Sequence, residues 1–538
     1  MIASRRVAPS CRLLIILLAL LLASAPLQAT PARPSAVAAA ADAWYAALAP
    51  SARAEVVTKH DGNLSRVTLE TIFETRQDRI SGTMRIDFVN ATGETLTDIG
   101  FRLYPNATYY GEGDATISEP AIDGVAVVPA YEAASTAFRL PLADPLAPDG
   151  RATIAFRFTI IVPDDSTGTF GVFRHDQSRD TWALADWHPI IAGWDRDRGW
   201  RLDPPTPAGD PTFADAALYD LTMRLPAAYD VISGGTVLSA TTDSAGSQTV
   251  RLVTGPARDL TLVVAPSLEP TVATVGETEV RVWANPTLAN PAVVADMIAL
   301  TTASLEAYGE RFGPYPFAEL DIVATSLDPS VLGVTWSGLI MLNAAYLLEG
   351  STFPFNYPNT LAFMIVHEVG HLWYGIGVGV DSNDHPYLAE GLTNAVAMDV
   401  AGEIVGNERA RAMMETQVVG LYGNALATSG DGIVDTPIGS ETAAGPGRIP
   451  LAYGKGALGF LAIRLAMGDD AWFAAMDAWT ADWLFRISEP PDLRAALVAH
   501  APPGVDVDEL WSRWFEQAVT SLNEISTVAL AIGPLLGN

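Results

Sequence analysis

Lysine is nearly missing from this chain: among 538 residues only Lys59 and Lys455 are lysines, so arginine carries almost all of the positive charge. Cysteine is scarcer still, Cys11 standing alone, which excludes an intrachain disulfide. Basic residues are short as a class, 32 Lys plus Arg against 62 Asp plus Glu, for a formal charge of -30. That balance argues against nucleic acid and against anionic membrane surfaces as partners. Also missing are an internal repeat and, beyond the N-terminus, an apolar run of membrane-spanning length; Val528–Leu536 is too short and carries Gly and Pro. What is abundant is apolar residue, 49% of the chain, enough for large cores in two to four domains and incompatible with disorder.

The N-terminus, MIASRRVAPSCRLLIILLALLLASAPLQA, places Arg5, Arg6 and Arg12 before an apolar run from Leu13 to Ala25. Such a run is short for a span and right for a signal peptide, with cleavage after Ala29 at least as well placed as after Ala25, which Pro26 follows. The expectation is a signal at 1–29 and an exported protein, periplasmic, extracellular or at the cell surface, with no stable membrane span after signal removal. Cys11 precedes the apolar core and leaves with the signal, so the mature chain has no thiol and relies on core burial and bound metal for stability.

Residues 30–54 read as a Pro/Ala linker and a short helix. From 55 to 275 the pattern has period two, as in RISGTMRIDFVN and LTDIGFRLYPN, with Asn, Gly, Asp and Pro between the runs, which predicts a large antiparallel β domain. Within it DWHPIIAGWDRDRGW clusters three tryptophans with His188, a composition that points to packing at a domain interface. From 276 to 468 strands (VRVWANPTL, ELDIVATSL, GLIMLN) alternate with an amphipathic helix ended by Gly313 and with further helices, an α+β arrangement. Residues 469–538 read as a short helical C-terminal region.

Two of the seven histidines, His367 and His371, stand four apart in LAFMIVHEVGHLWYG, a run that otherwise reads as a buried helix. Four residues is about one helical turn, so both imidazoles leave one face, with Glu368 one step round beside them. A catalytic zinc takes three protein ligands and keeps one open position. Glu390, 19 residues after His371 at the start of a second predicted helix, is the natural third ligand. His367, His371 and Glu390 would hold one zinc ion, in the gluzincin spacing.

These residues carry a family likeness. HEVGHLWYG, LAEGLTNAV, ERFGPYPFAELDIV and LAYGKGALGF, with the β segment RISGTMRIDFVNATGETLTDIGFRLYPN, resemble the aminopeptidase N family of zinc metallopeptidases. The resemblance implies a thermolysin-like catalytic domain at 276–468, a peptide or protein substrate, Glu368 as general base, and Tyr453 as the hydroxyl that stabilises the oxyanion. In the family a glutamate in a Gly-x-Met-Glu-Asn type segment holds the substrate's free amino group. The corresponding stretch is LGVTWSGLIML: aligning on Gly338 puts Thr335 at that position, and aligning on Gly333 puts Trp336 there. The Gly338 alignment is preferred. Neither residue is a carboxylate, so neither pairs with an ammonium as a glutamate would. Gly333, Thr335 and Gly338 are the candidate substrate-binding residues, on a predicted edge strand able to pair with an extended peptide. Asp328 is a nearby acid that could substitute. The implied activity is peptide hydrolysis with aminopeptidase specificity in question. The alternatives are an endopeptidase-like enzyme acting on longer or blocked peptides, and a non-catalytic peptide-binding protein braced by zinc.

Overall fold

The computed structural model describes residues 43–164, 170–207, 213–266, 268–346, 358–440 and 445–536. The signal-like segment 1–29 and the linker up to 42 lie outside the described residues.

Alternation of apolar and polar residues builds the first layer as expected. In the strand Ser65–Glu74, Val67, Leu69, Thr71 and Phe73 turn inward while Glu70 and Ile72 are exposed. Eight strands join in the order Thr236–Thr242, Ser247–Ala257, Ala217–Pro226, Ser65–Glu74, Arg79–Val89, Arg151–Ile161, Asp114–Ile122 and Val125–Ala126. One pair departs from an all-antiparallel sheet: Ser65–Glu74 runs parallel to Ala217–Pro226, with Leu69 opposite Leu221. A four-stranded sheet containing Leu96–Arg102 and Ala137–Leu146 lies against it, and Phe101 meets Phe156 edge to face at 5.7 Å across the core. Each fully buried Leu or Phe side chain of this kind contributes about 1.5–3 kcal/mol. The helix Pro50–His60 runs past Glu55, so strand structure begins later than the sequence pattern places it.

The second region is a five-stranded mixed sheet, ordered Glu269–Val275, Thr278–Ala284, Glu319–Thr325, Leu339–Asn343, Gly333–Trp336. The middle pairings are parallel and the last is antiparallel, which leaves Gly333–Trp336 as an edge strand. The helix Pro291–Phe312 begins at Asn290, whose side chain accepts from the Ala292 N–H, and stops at Gly313 with φ +89°. It packs beside the helix Asn359–His371, where the Tyr308 hydroxyl donates to the Val366 carbonyl at 3.0 Å.

After residue 390 the chain is helical, and its last third does not form a core of its own. Leu361, Val366, Tyr387, Leu392, Phe460, Trp511, Phe515 and Ile525 belong to one continuous apolar cluster. The ring of Phe515 stacks on Tyr387 at 4.8 Å. Lys455 Nζ donates to the Gln517 carbonyl at 2.8 Å. Among the described residues no helix is long and apolar enough to cross a membrane.

Ion pairs join the β region to the turn that precedes Glu390. Arg201 pairs with Asp381 and, at 2.7 Å, with Asp384, and Arg198 also pairs with Asp384. Both arginines come from the tryptophan-rich loop, whose Trp187 and Trp200 are buried in the β core. This agrees with the interface role expected of that loop.

Candidate active site

The zinc-binding pattern becomes a triangle of atoms. His367 and His371 leave the same face of the helix Asn359–His371, with their Nε2 atoms 3.0 Å apart, and Glu390 Oε2 lies 3.3 Å from each. Tetrahedral donors at 2.0–2.1 Å from one zinc ion are about 3.3 Å from each other, so the three atoms have the spacing a single ion requires. Electrostatics point the same way. Burial lowers the His371 pKa, but the Glu390 carboxylate outweighs this and raises it to about 9. Burial would raise the Glu390 pKa, yet the imidazoles hold it well below the usual carboxylate range. The cluster therefore favours a positive charge at its centre. His371 Nδ1 lies 3.1 Å from the Tyr374 carbonyl, a bond that fixes the tautomer and leaves Nε2 free to ligate.

Glu390 sits in a wide π-type turn, Tyr387–Gly391, and Tyr453 in another, Pro450–Gly456. The two turns are in van der Waals contact only because of glycine: a Cβ on Gly391 would lie 2.7 Å from the Ala452 carbonyl oxygen and 3.0 Å from the Gly456 carbonyl carbon. That approach sets the Tyr453 phenol close to Glu390, and burial together with the Glu390 carboxylate pushes the phenol's pKa up. Asn394, one turn after Glu390, donates from Nδ2 to the Tyr453 carbonyl at 3.0 Å and holds the second turn in place.

Glu368 is buried beside the triangle, and its carboxylate has two neighbours on the edge strand. Thr335 Oγ1 lies 2.6 Å from Oε2 and 3.0 Å from the Glu368 backbone carbonyl. Gly333 lies under the other oxygen, where a Cβ would stand 2.8 Å from Oε1. The strand thus turns Gly333 and Thr335 toward the cavity. Trp336 faces the opposite side of the sheet, in an apolar cluster with Val263 and Met341. The alternation favours the Gly338 alignment over the Gly333 one. Gly338 itself does not line the cavity: it takes φ +76° in the turn between two strands, where a Cβ would meet the Gly234 carbonyl oxygen at 2.7 Å. Asp328 does not line the cavity either; its carboxylate accepts from the Ser330 N–H at 2.9 Å and hydroxyl at 2.6 Å.

Around these groups is a cavity of about 520 Å³. Its wall includes residues for which the sequence gives no signal: Arg258 and Asp259 from the β region, and Arg448 beside Tyr453. Asp259 accepts from Ser337 Oγ at 2.9 Å and from the N–H groups of Ser337 and Thr261 at 3.2 Å, and burial raises its pKa. Lys455, singled out by its rarity, is fully buried and turned away from the cavity; it donates to Asp431 at 2.9 Å and to the carbonyls of Gly432 and Gln517. It is a structural clamp.

Residues 297–514 match the model of the Peptidase family M1 domain. No curated protein matches the chain. Among solved structures, a mutant of the M1 zinc metallopeptidase of Deinococcus radiodurans is 18% identical, with a TM-score of 0.59, and the alignment covers 85% of this chain and 94% of that one. The same protein bound to a Tyr-Ser-Ala substrate aligns over the same shares, at 18% identity and a TM-score of 0.58. A two-domain M1 zinc metallopeptidase mutant bound to L-tryptophan gives 18% identity, a TM-score of 0.59, and coverage of 85% and 95%.

Proposed function

We propose that this chain, whose residues 297–514 match the Peptidase family M1 domain, is an exported zinc metallopeptidase that cleaves peptides with Glu368 as general base and without requiring a free N-terminus. Zinc, when held by His367, His371 and Glu390, supplies a Lewis acid that lowers the pKa of water toward about 7 and polarises the scissile carbonyl. Thr335 orients the Glu368 carboxylate by its bond to Oε2. The opposite oxygen, over Gly333, takes the proton from the attacking water and passes it to the leaving amine. Tyr453 donates its phenolic hydrogen to the carbonyl oxygen as charge develops there, a role supported by its place beside Glu390. The edge strand Gly333–Trp336 offers backbone groups to an extended peptide. Export rests on the charged and apolar pattern of residues 1–29.

The observation that carries the specificity is the Thr335 hydroxyl turned onto Glu368. The position that would supply a countercharge to a substrate ammonium serves the base instead, and burying an ammonium without a countercharge costs several kcal/mol. A peptide and its N-acetylated twin decide the matter: comparable cleavage of both is expected, and cleavage of the free form alone would overturn the proposal. Asp259 favours a second reading, since it is a carboxylate from the β region on the cavity wall. If it anchors the ammonium, only the free peptide is cut and Asp259→Asn removes that preference.

A further inference from the structure

The charged side chains on the cavity wall differ in whether their partners are already present. Glu390 faces the two imidazoles, Glu368 receives Thr335, and Asp259 is held by Ser337 and Thr261. Arg258 spends its guanidinium on four carbonyls, those of Ala214, Ile376, Gly377 and Arg486, at 2.7–3.2 Å. Arg448 differs. It lines the same cavity, half-buried, five residues before Tyr453, and makes no hydrogen bond or ion pair with any described residue. In a chain with 62 acidic residues, an arginine beside the catalytic groups without a carboxylate partner runs against the average.

We propose that Arg448 binds a carboxylate of the substrate, so that the enzyme favours acidic peptides. The planar guanidinium fork matches a carboxylate with two parallel hydrogen bonds, and a half-buried wall screens that pair less than open solvent does. The charge inventory agrees from the other side: every carboxylate on the described wall already has a protein partner, whereas Arg448 has none among the described residues. The carboxylate comes either from an Asp or Glu side chain beside the scissile bond or from the free C-terminus of a short peptide. The proposal rests on the peptidase reading of this cavity but is independent of how the N-terminus is treated.

The test uses the zinc-loaded full chain and peptides with a free N-terminus, which both readings of N-terminal specificity allow to be cut. An alanine pentapeptide and its C-terminal amide form one pair. Amidated pentapeptides with Glu or Gln at each position in turn form the others. For at least one pair the carboxylate-bearing member should have a kcat/KM about tenfold or more above its neutral twin. The acid and amide pair reports the C-terminus as the source, and the Glu scan reports a side chain. Arg448→Gln should bring that ratio to about one, Arg448→Lys should leave an intermediate ratio, and Arg448→Glu should shift preference to the same peptides carrying Lys. Equal treatment of every pair by the wild type, or a ratio unchanged in Arg448→Gln, overturns the proposal. So does a uniform fall in kcat across all peptides with the ratio kept, which is the result if Arg448 only serves Tyr453. Calorimetric binding of the same pairs to Glu368→Gln, with and without Arg448→Gln, judges the carboxylate contact separately from turnover. If no peptide is cut but the binding ratio holds, the peptidase reading fails and the Arg448 assignment stands.

Discussion

Replacing Thr335 by valine removes one hydroxyl and almost nothing else, because the two side chains have nearly the same shape. The hydroxyl is 2.6 Å from Glu368 Oε2 and 3.0 Å from the Glu368 carbonyl. It has a single proton, and the shorter contact falls in the range of bonds donated to an ionised oxygen, so the proton belongs to the carboxylate. Thr335 and Glu368 are 6% and 5% exposed, so water does not readily take over the lost bond. A hydrogen bond to a charged group contributes about 1.5–3 kcal/mol, which corresponds to a fall in kcat of roughly 10- to 150-fold if the bond holds the base ready for the water. Thr335 bonds to Glu368 and to none of the three proposed zinc ligands, so zinc content should stay at one per chain, and Thr335→Ser should recover most of the rate. The assay is steady-state cleavage of a neutral peptide alongside metal analysis of the same preparations. Wild-type kcat in Thr335→Val would refute the positioning role, and loss of zinc in that variant would show that the hydroxyl braces the metal site instead.

Glu368→Gln should keep its zinc and lose peptide hydrolysis, while Tyr453→Phe should lower turnover by about a hundredfold or more at unchanged zinc content; metal analysis with kinetics checks both. Lys455→Met should destabilise the fold by about 3 kcal/mol, because it removes the buried cation that Asp431, itself only slightly exposed, is paired with, and the shift is read from denaturant unfolding. His60 and His188 are kept neutral by burial, which lowers both from 6.5 to about 4. The unfolded chain takes up these protons near pH 6.5 and the folded chain only near pH 4, so stability should be complete above that window and fall through it as pH drops. The loss is about 3 kcal/mol per histidine as an order of magnitude, and replacing both with glutamine should flatten the slope in melts recorded across the window.

The candidate metal triangle was readable in the sequence because a helix turns a spacing of four into adjacency, so HEVGH states its own geometry. Glu390 needed one more assumption, that the next helix packs against the first, and it lies 3.3 Å from both imidazoles. The strand carrying Thr335 was readable for the same reason, as alternation assigns each residue to a face. What Thr335 touches was not, because Glu368 lies 33 residues away and no local period connects them. The rarity of Lys455 marked it out correctly, but the segment's likeness to a catalytic motif hid its burial beneath the turn. Arg258, Asp259 and Arg448 sit in stretches with no motif and reach the cavity only through tertiary packing. The parallel pairing of Ser65–Glu74 with Ala217–Pro226 is likewise invisible to alternation, which is identical for either strand direction.

The single core shared by the zinc helices and the C-terminal helices sets the order in which a growing chain acquires activity. Phe515 stacks on Tyr387, in the turn that presents Glu390, and the Gln517 carbonyl receives Lys455 from the turn that presents Tyr453. A ribosome releases the two histidines well before either of those supports exists. Until the segment around Trp511–Gln517 emerges, each turn lacks one of its supports, and the chain carries its candidate ligands without a finished site. Completion of the candidate site therefore waits for the segment around Trp511–Gln517, and a chain ended before it would have all three candidate ligands but would lack these two supports of its turns.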